Sequence, residues 1–154
     1  MNWYFQTLDK QIGKKSIFDF LKKIDYGNKN VLSPIDSYWL ESSLKIAPLE
    51  QVNILRNLDS NLYGFNQNNI NYIKESLLIQ DTEFFKMYGK TGTGNINGKL
   101  VNGWFVGSIQ LVDYNLYFAT YIKNEDNAGG STAAKITYDV LQLLKEKGYI
   151  KMAL

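Results

Sequence analysis

The stretch Lys90-Thr91-Gly92-Thr93-Gly94 places an ammonium, two hydroxyls and two residues without side chains within five positions. At the end of a strand such a set makes a small site for an anion. The lysine supplies charge, the threonines supply directional donors, and Gly92 allows a ligand to approach the backbone. A strand edge adds unpaired N–H and C=O groups that an extended amide can pair with. Taken alone, the pentad reads more readily as a lysine-bearing hairpin rich in turn residues. It is not a Walker-type phosphate loop, because the glycine spacing before Lys-Ser/Thr is missing and no helix follows.

Residues that are absent narrow the chemistry further. The 154 residues include no His and no Cys. That excludes a Ser-His-Asp triad, a thiol nucleophile, a disulfide framework and Cys- or imidazole-bound metal, and no metal or cofactor is expected. A hydrolase of this composition must move protons with Lys, Tyr, Asp or Glu. Lys+Arg of 17 against Asp+Glu of 15 leaves a net charge of +2, too small a footprint for nucleic acid or a membrane surface. The 45% hydrophobic and 21% charged shares describe a globular chain with core enough for one domain. The longest apolar runs, Trp104–Val106 and Leu116–Ala119, fall far short of a membrane span. Asn2-Trp3-Tyr4-Phe5-Gln6, directly after Met1, has neither the basic nor the apolar region of a signal peptide.

The elements that must position the pentad follow from periodicity. Trp3, Phe5, Leu8 and Ile12 lie near helical spacing, with Gly13 as a stop. Ser16 with Asp19 three residues on predicts a capped second helix carrying Ile17, Phe20, Leu21 and Ile24. Tyr26-Gly27-Asn28 reads as its end, followed by turns through Ser33-Pro34, and Ile35 to Pro48 as irregular or partly helical. Pro48 opens a helix with Leu49, Val52, Leu55 and Leu58 inside, and another runs from about Asn69 to Leu78. Beyond Asp81 three strands are expected, Phe84–Thr91, Val101–Val112 and Leu116–Ile122, with turns at Thr93–Gly98 and Asp113–Asn115. A loop from Asn124 to Gly130 leads to a closing helix from about Ser131 to Lys147, capped by Gly148. The order is α+β: a mostly helical part over residues 1–80, then a three-stranded antiparallel meander and a C-terminal helix over 81–154.

Several blocks, in order, carry more than their local meaning. They are Trp3-Tyr4-Phe5-Gln6, Tyr26-Gly27-Asn28, Trp39-Leu40-Glu41 with Leu44-Lys45-Ile46, Leu49-Glu50-Gln51-Val52, Lys90-Thr91-Gly92, and Val101-Asn102-Gly103-Trp104-Phe105-Val106-Gly107. With them the chain resembles the penicillin-recognising serine enzymes, and among these the class D β-lactamases and the similar extracellular β-lactam sensor domains of Gram-positive bacteria. The Lys-Thr-Gly triplet is common to all of these enzymes, whereas the Tyr-Gly-Asn and Trp-Leu-Glu blocks point to class D. The eleven-residue interval from Asn28 to Trp39 agrees with the family.

The resemblance implies the serine β-lactamase/transpeptidase fold and a β-lactam antibiotic as ligand of the intact protein. It gives Lys90 the steering of the substrate anion, Thr91 and Thr93 hydrogen bonds to its carboxylate, and the N–H of Thr93 a place in the oxyanion hole beside Gly92. Trp39 would pack beside a carboxylated lysine and Leu40 would form part of the apolar lid over it, with Tyr26, Gly27, Asn28 and Trp104 in supporting places. Many class D enzymes carry an Arg at the start of the last helix. The corresponding place here is near Ala133 or Ala134, so its role passes to the two threonines. Asn2, where β-lactamases usually carry Val, tilts the comparison toward a sensor that is acylated but deacylates slowly.

The family's attacking residue is the Ser of a Ser-x-x-Lys motif. Ser42-Ser43-Leu44-Lys45 is the one match in this chain, and it lies inside the Trp-Leu-Glu block rather than at the nucleophile's place. Met1 and Asn2 align with the second and third places of a Ser-x-Val/Asn motif, so the chain is expected to be the C-terminal portion of the domain. On this reading the catalytic residues are outside the chain, which is inactive alone. The alternatives are part of a sensor, or a remnant without covalent chemistry. The intact family member is expected outside the cytoplasm, and the chain as given inside it. The strand at Leu116–Ile122 is expected to be an open edge, available to a second copy or to the complementary N-terminal part. Treatment with penicillin should leave the mass of the 154-residue chain unchanged, with cephalosporin turnover at background; a covalent adduct on any of its serines by mass spectrometry would overturn this reading.

Overall fold

The computed structural model describes residues 2–123 and 128–151. The elements run α1 (Asn2–Ile12), α2 (Lys14–Lys23), α3 (Pro48–Asp59), α4 (Gln67–Leu77), β1 (Leu78–Asp81), β2 (Phe85–Ile96), β3 (Lys99–Leu111), β4 (Asn115–Lys123) and α5 (Gly130–Glu146). Two compact units, Met1–Ile54 and Leu55–Leu154, divide the chain. The first four residues of the expected 124–130 loop lie outside the described residues, as does Met1.

In the first unit, α2 buries Ile17 and Leu21, one turn apart, against Val31 and Tyr38, with Tyr26, Ile35, Trp39 and Leu44 packed around them. The expected Ser16 cap is not formed. Gly13, at φ 82, ends α1 and is itself the N-cap of α2, so Ser16 falls inside the first turn and Asp19 pairs with Lys15 instead. Glycine's access to positive φ joins two helices across a single residue, a connection shorter than a serine cap requires. Helix α1 buries no residue, and Trp3 and Phe5 remain 70% and 50% exposed.

In the second unit the sheet is antiparallel throughout, in the order β1-β2-β3-β4. The expected meander is β2-β3-β4, and β1 adds a fourth strand beside it. Nothing in the four exposed residues Leu78–Asp81 alternates; their strand conformation comes from pairing with Lys86–Tyr88. The turn expected at Thr93–Gly98 is smaller than predicted. Pairing of Thr93 with Gly103 and Gly94 with Asn102 carries β2 on to Ile96, and the hairpin closes on Asn97-Gly98, both at positive φ (52 and 81). That is the turn whose twist matches two antiparallel strands.

Every second residue of β3 from Gly103 to Leu111 is buried, so one face of the sheet is covered. α5 covers it with Ala133, Thr137 and Leu141, a stripe at intervals of four residues, over a core of Phe85, Met87, Phe105 and Ile109. Gly148, at φ 74, ends α5 with the backbone bonds Gly148 N–H to Lys145 O and Tyr149 N–H to Leu144 O, the Schellman pattern.

The opposite face is tied by one carboxylate. Asp59, at the end of α3, accepts from Tyr117 Oη and Asn115 Nδ2 of β4, each at 2.7 Å, and pairs with Lys74 of α4. Burial alone pushes its pKa up, but the Lys74 ammonium and the Tyr117 and Asn115 donors outweigh that and hold it below the usual carboxylate range. A lowered native pKa contributes stability that is present above the unfolded value, about 4, and is lost as pH falls through the native one. Acid titration of stability should therefore be flatter in Asp59→Asn than in the parent below about pH 4; parallel acid-denaturation curves would contradict this.

Candidate active site

The Lys-Thr-Gly stretch lies on β2, where β1 covers the strand's outer side only as far as Tyr88. From Gly89 to Ile96 β2 pairs with β3 alone, so no described strand occupies its outer edge. Backbone groups alternate between the two edges of a strand, and Thr91 and Thr93 therefore address the same one. Lys90, Thr91 and Thr93 have exposed side chains, and the Lys90 ammonium donates to the carbonyl of Thr91.

What holds this stretch is the start of α5. The first N–H groups of a helix have no partner within it. Here the N-cap is Gly129, which has no side chain to offer, and Gly130 N–H donates to Thr93 Oγ1 at 2.9 Å. Thr93 thus caps a helix 37 residues away. Because its oxygen is the acceptor, its own hydroxyl proton stays available to a ligand. The approach is possible only without side chains: a Cβ on Gly103 would lie 2.2 Å from Gly129 O, and one on Gly130 would lie 2.8 Å from both Gly92 O and Thr91 Cβ. The helix start brings partial positive charge to Thr91, Gly92 and Thr93, which favours an anion there. Trp104, opposite Gly92 on β3, stacks on Tyr121 of β4 with ring centroids 4.5 Å apart.

The remaining candidates form a second group in the Met1–Ile54 unit. Gly27, at φ 47, lies where a Cβ would come within 2.0 Å of Lys45 O. Asn28 is bonded to the same segment three ways: its N–H donates to Lys45 O, its Nδ2 to Ser43 O, and its Oδ1 accepts from Lys45 N–H. Tyr26 Oη donates to Gln51 Oε1 at 3.3 Å, and burial pushes its pKa up. The Tyr-Gly-Asn triplet is thus a clasp on the Ser43–Ile46 segment, and it explains why the two blocks occur together. Trp39 Nε1 donates to Asp9 Oδ2 at 2.9 Å, while Leu40 is half-buried in the turns that follow.

Ser42-Ser43-Leu44-Lys45 lies in this clasped segment in irregular backbone. Ser42 Oγ donates to Ser33 Oγ at 2.6 Å, and Ser43 Oγ to Asn30 O at 2.9 Å. A serine and a lysine three residues on meet when the backbone is a helical turn. Here they do not, and both hydroxyls are committed to the loop.

Residues 1–142 match the penicillin binding protein transpeptidase domain. The chain belongs to that family. It is 45% identical over 146 residues to the regulatory protein BlaR1 of Bacillus licheniformis, covering 95% of this chain and 24% of that protein. Among solved structures it is similar to the C-terminal domain of the Bacillus licheniformis BlaR penicillin-receptor, with a TM-score of 0.85, 43% identity, and coverage of 97% of this chain and 59% of that one. It is equally similar in shape to a class D β-lactamase from Bacillus subtilis, with a TM-score of 0.85, 32% identity, and coverage of 98% and 60%. The chain therefore spans about a quarter of the sensor protein it matches and about three-fifths of the solved domains.

Within the transpeptidase-domain family this chain corresponds to the C-terminal part of the fold shared by the sensors and class D enzymes. The place of the last-helix Arg is informative. Ala133 is fully buried under the sheet and Ala134 packs on the same core, so neither offers a charged group. Sequence reasoning overlooked Gly129, Gly130 and Asp9. The adjacent glycines before an amphipathic helix were a visible signal for the first two, whereas Asp9 had none. Thr93→Val should leave the buried Gly130 N–H unpaired and lower stability by about 1–3 kcal/mol, with Thr93→Ser close to the parent, as read by urea denaturation; equal stability of the Val variant would show that Thr93 does not cap α5.

Proposed function

We propose that Lys90, Thr91, Gly92 and Thr93 form the anion-binding wall of a β-lactam-binding domain, for which this chain supplies the C-terminal part. The observation that carries the reading is the Gly130 N–H to Thr93 Oγ1 bond, which leaves the Thr93 proton free on a strand whose outer edge no described strand covers, with the Lys90 ammonium on the Thr91 carbonyl of the same strand. A β-lactam offers a carboxylate to the ammonium and hydroxyls, and an amide to the strand edge. The backbone N–H of Thr93 serves the oxyanion, and Trp104 supports the strand from β3. In the other unit, Trp39 and Leu40 wall the lysine of the nucleophile motif, held by the clasp of Tyr26, Gly27 and Asn28. Nucleophile and base come from outside the chain, because binding groups alone do not replace them. The ring-opening hydrolysis of a class D β-lactamase is thus an activity of the complete domain.

Of the two outcomes, turnover or stable acylation, the second is favoured by the 43% identity to the penicillin-receptor domain against 32% to the class D enzyme. Among the described residues no strand pairs with the outer edge of β4, and that edge is the surface on which the complementary N-terminal part, or a second copy, adds a strand. The intact domain works outside the cytoplasm, where β-lactams are met; among the described residues no helix is long and apolar enough to cross a membrane.

Titrating the 15N-labelled chain with benzylpenicillin should perturb the amides of Thr91, Thr93 and Gly130, and Lys90→Met should weaken that binding about tenfold, the worth of one charged hydrogen bond. Unmoved amides, or a Lys90→Met titration identical to the parent, would overturn the assignment. With the N-terminal part of the penicillin-receptor domain added, a long-lived penicillin adduct supports the sensor reading and multiple turnovers the β-lactamase reading.

A further inference from the structure

The turn between β2 and β3 carries chemistry that the stretch at Lys90–Thr93 does not use. Asn97-Gly98 is one of two Asn-Gly pairs in the chain, the other being Asn102-Gly103. Such a pair is prone to deamidation, because glycine has no side chain to hinder its nitrogen. The Gly98 nitrogen attacks Asn97 Cγ; the N–Cγ bond forms, the Cγ–Nδ2 bond breaks, and ammonia leaves with the proton that the nitrogen gave up. Water then opens the cyclic imide at one carbonyl or the other. The product is aspartate or isoaspartate, each heavier than asparagine by about a dalton.

Ring closure requires the Gly98 nitrogen to swing to the side of Asn97 that carries Cβ, since Cα, Cβ and both carbonyl carbons of Asn97 join that nitrogen in one ring. The hairpin turns it the other way. Both central residues have positive φ, 52° and 81°, and Ile96 pairs with Lys99 across them, which is the type I′ turn. In that turn ψ of the first central residue is about +30°, which puts the nitrogen about 150° round the Cα–C bond from Cβ. The peptide plane is then held there, because Gly98 N–H donates to Asn95 Oδ1 at 2.9 Å. Rotating the plane into the reactive position breaks that bond, and so does loss of the amide proton. Asn102-Gly103 is secured differently: Asn102 is buried and pairs with Gly94 on one side and Lys123 on the other.

We propose that Asn97 is a deamidation site kept closed by Asn95, whose side chain holds the Gly98 nitrogen away from Asn97 Cγ. The restraint lies within the consecutive residues Asn95 to Gly98, so it needs nothing outside the hairpin. It is also independent of whether Lys90–Thr93 binds an anion. Its release alters the sheet: isoaspartate adds a carbon to the backbone of a two-residue turn, and the length of that turn sets the register of β2 against β3.

The test ages the full chain at neutral pH, in buffer and in urea, and follows each asparagine by peptide mass spectrometry. In urea Asn97 and Asn102 should both deamidate quickly; in buffer both should be slow. Asn95→Ala in buffer should speed Asn97 about fivefold, the equivalent of one hydrogen bond, and leave Asn102 unchanged. Asn95→Asp still offers an oxygen to Gly98 N–H and should keep the parent rate. Should Asn95→Ala unfold, shown by Asn102 accelerating as well, Asn95→Val takes its place, since valine lacks the acceptor but favours a strand. Deamidation of Asn97 as fast in buffer as in urea, an unchanged rate in the folded Ala or Val variant, or an Asp variant as fast as the Ala variant would each overturn the proposal.

Discussion

The docking of the start of α5 on the middle of β2 and β3 is the constraint from which the rest of the second unit follows. At the crossing, backbone meets backbone: Gly103 faces the carbonyl of Gly129, and Gly130 faces Thr91 and the carbonyl of Gly92. Side chains there would lift the helix off the sheet by the width of a methyl group or more. With the helix seated, Ala133, Thr137 and Leu141 fall on the apolar face of the sheet, and Thr137 Oγ1 meets Thr120 Oγ1 at 2.6 Å. The same seating gives the orphan N–H of the helix a hydroxyl to donate to. Packing and site are consequences of one close approach.

Thr93 stands where these two roles meet. As an acceptor it completes a helix; as a donor it is free to serve a ligand. A hydroxyl can do both at once because it has two lone pairs and one proton. A carboxylate or an amide oxygen could cap α5 but would have no such proton to offer, and an ammonium could serve an anion but could not accept from Gly130. The residue type at this position is therefore narrowed by structure before any ligand is considered.

The first unit has its own organising contact, the clasp between Tyr26-Gly27-Asn28 and the Ser43–Ile46 segment. It converts a long stretch with little regular structure into an ordered one by satisfying backbone groups with an amide side chain. Trp39 and Tyr38 are positioned by that stretch, and their donors converge on Asp9 of α1. Residues that looked like family signatures thus have direct structural work, and Ser42 and Ser43 are consumed as structure as well.

The residue types and their order determined the α+β class, the approximate extent of the five helices and three of the strands, and the place of the Lys-Thr-Gly stretch on a strand. Those are local matters: helical and strand periodicities, a proline at a helix start, a lysine with threonines on a strand. Tertiary structure decided what pairing partners decide. Leu78–Asp81 became a strand because β2 offered an edge, and Thr93–Ile96 stayed in β2 because β3 continued opposite it. It also decided that Thr93 caps a helix 37 residues on and that Asp9 receives the indole proton of Trp39. Hydrogen bonds across such separations leave no periodic trace in a chain, since each depends on a donor and an acceptor from distant segments being brought within 3 Å by packing elsewhere.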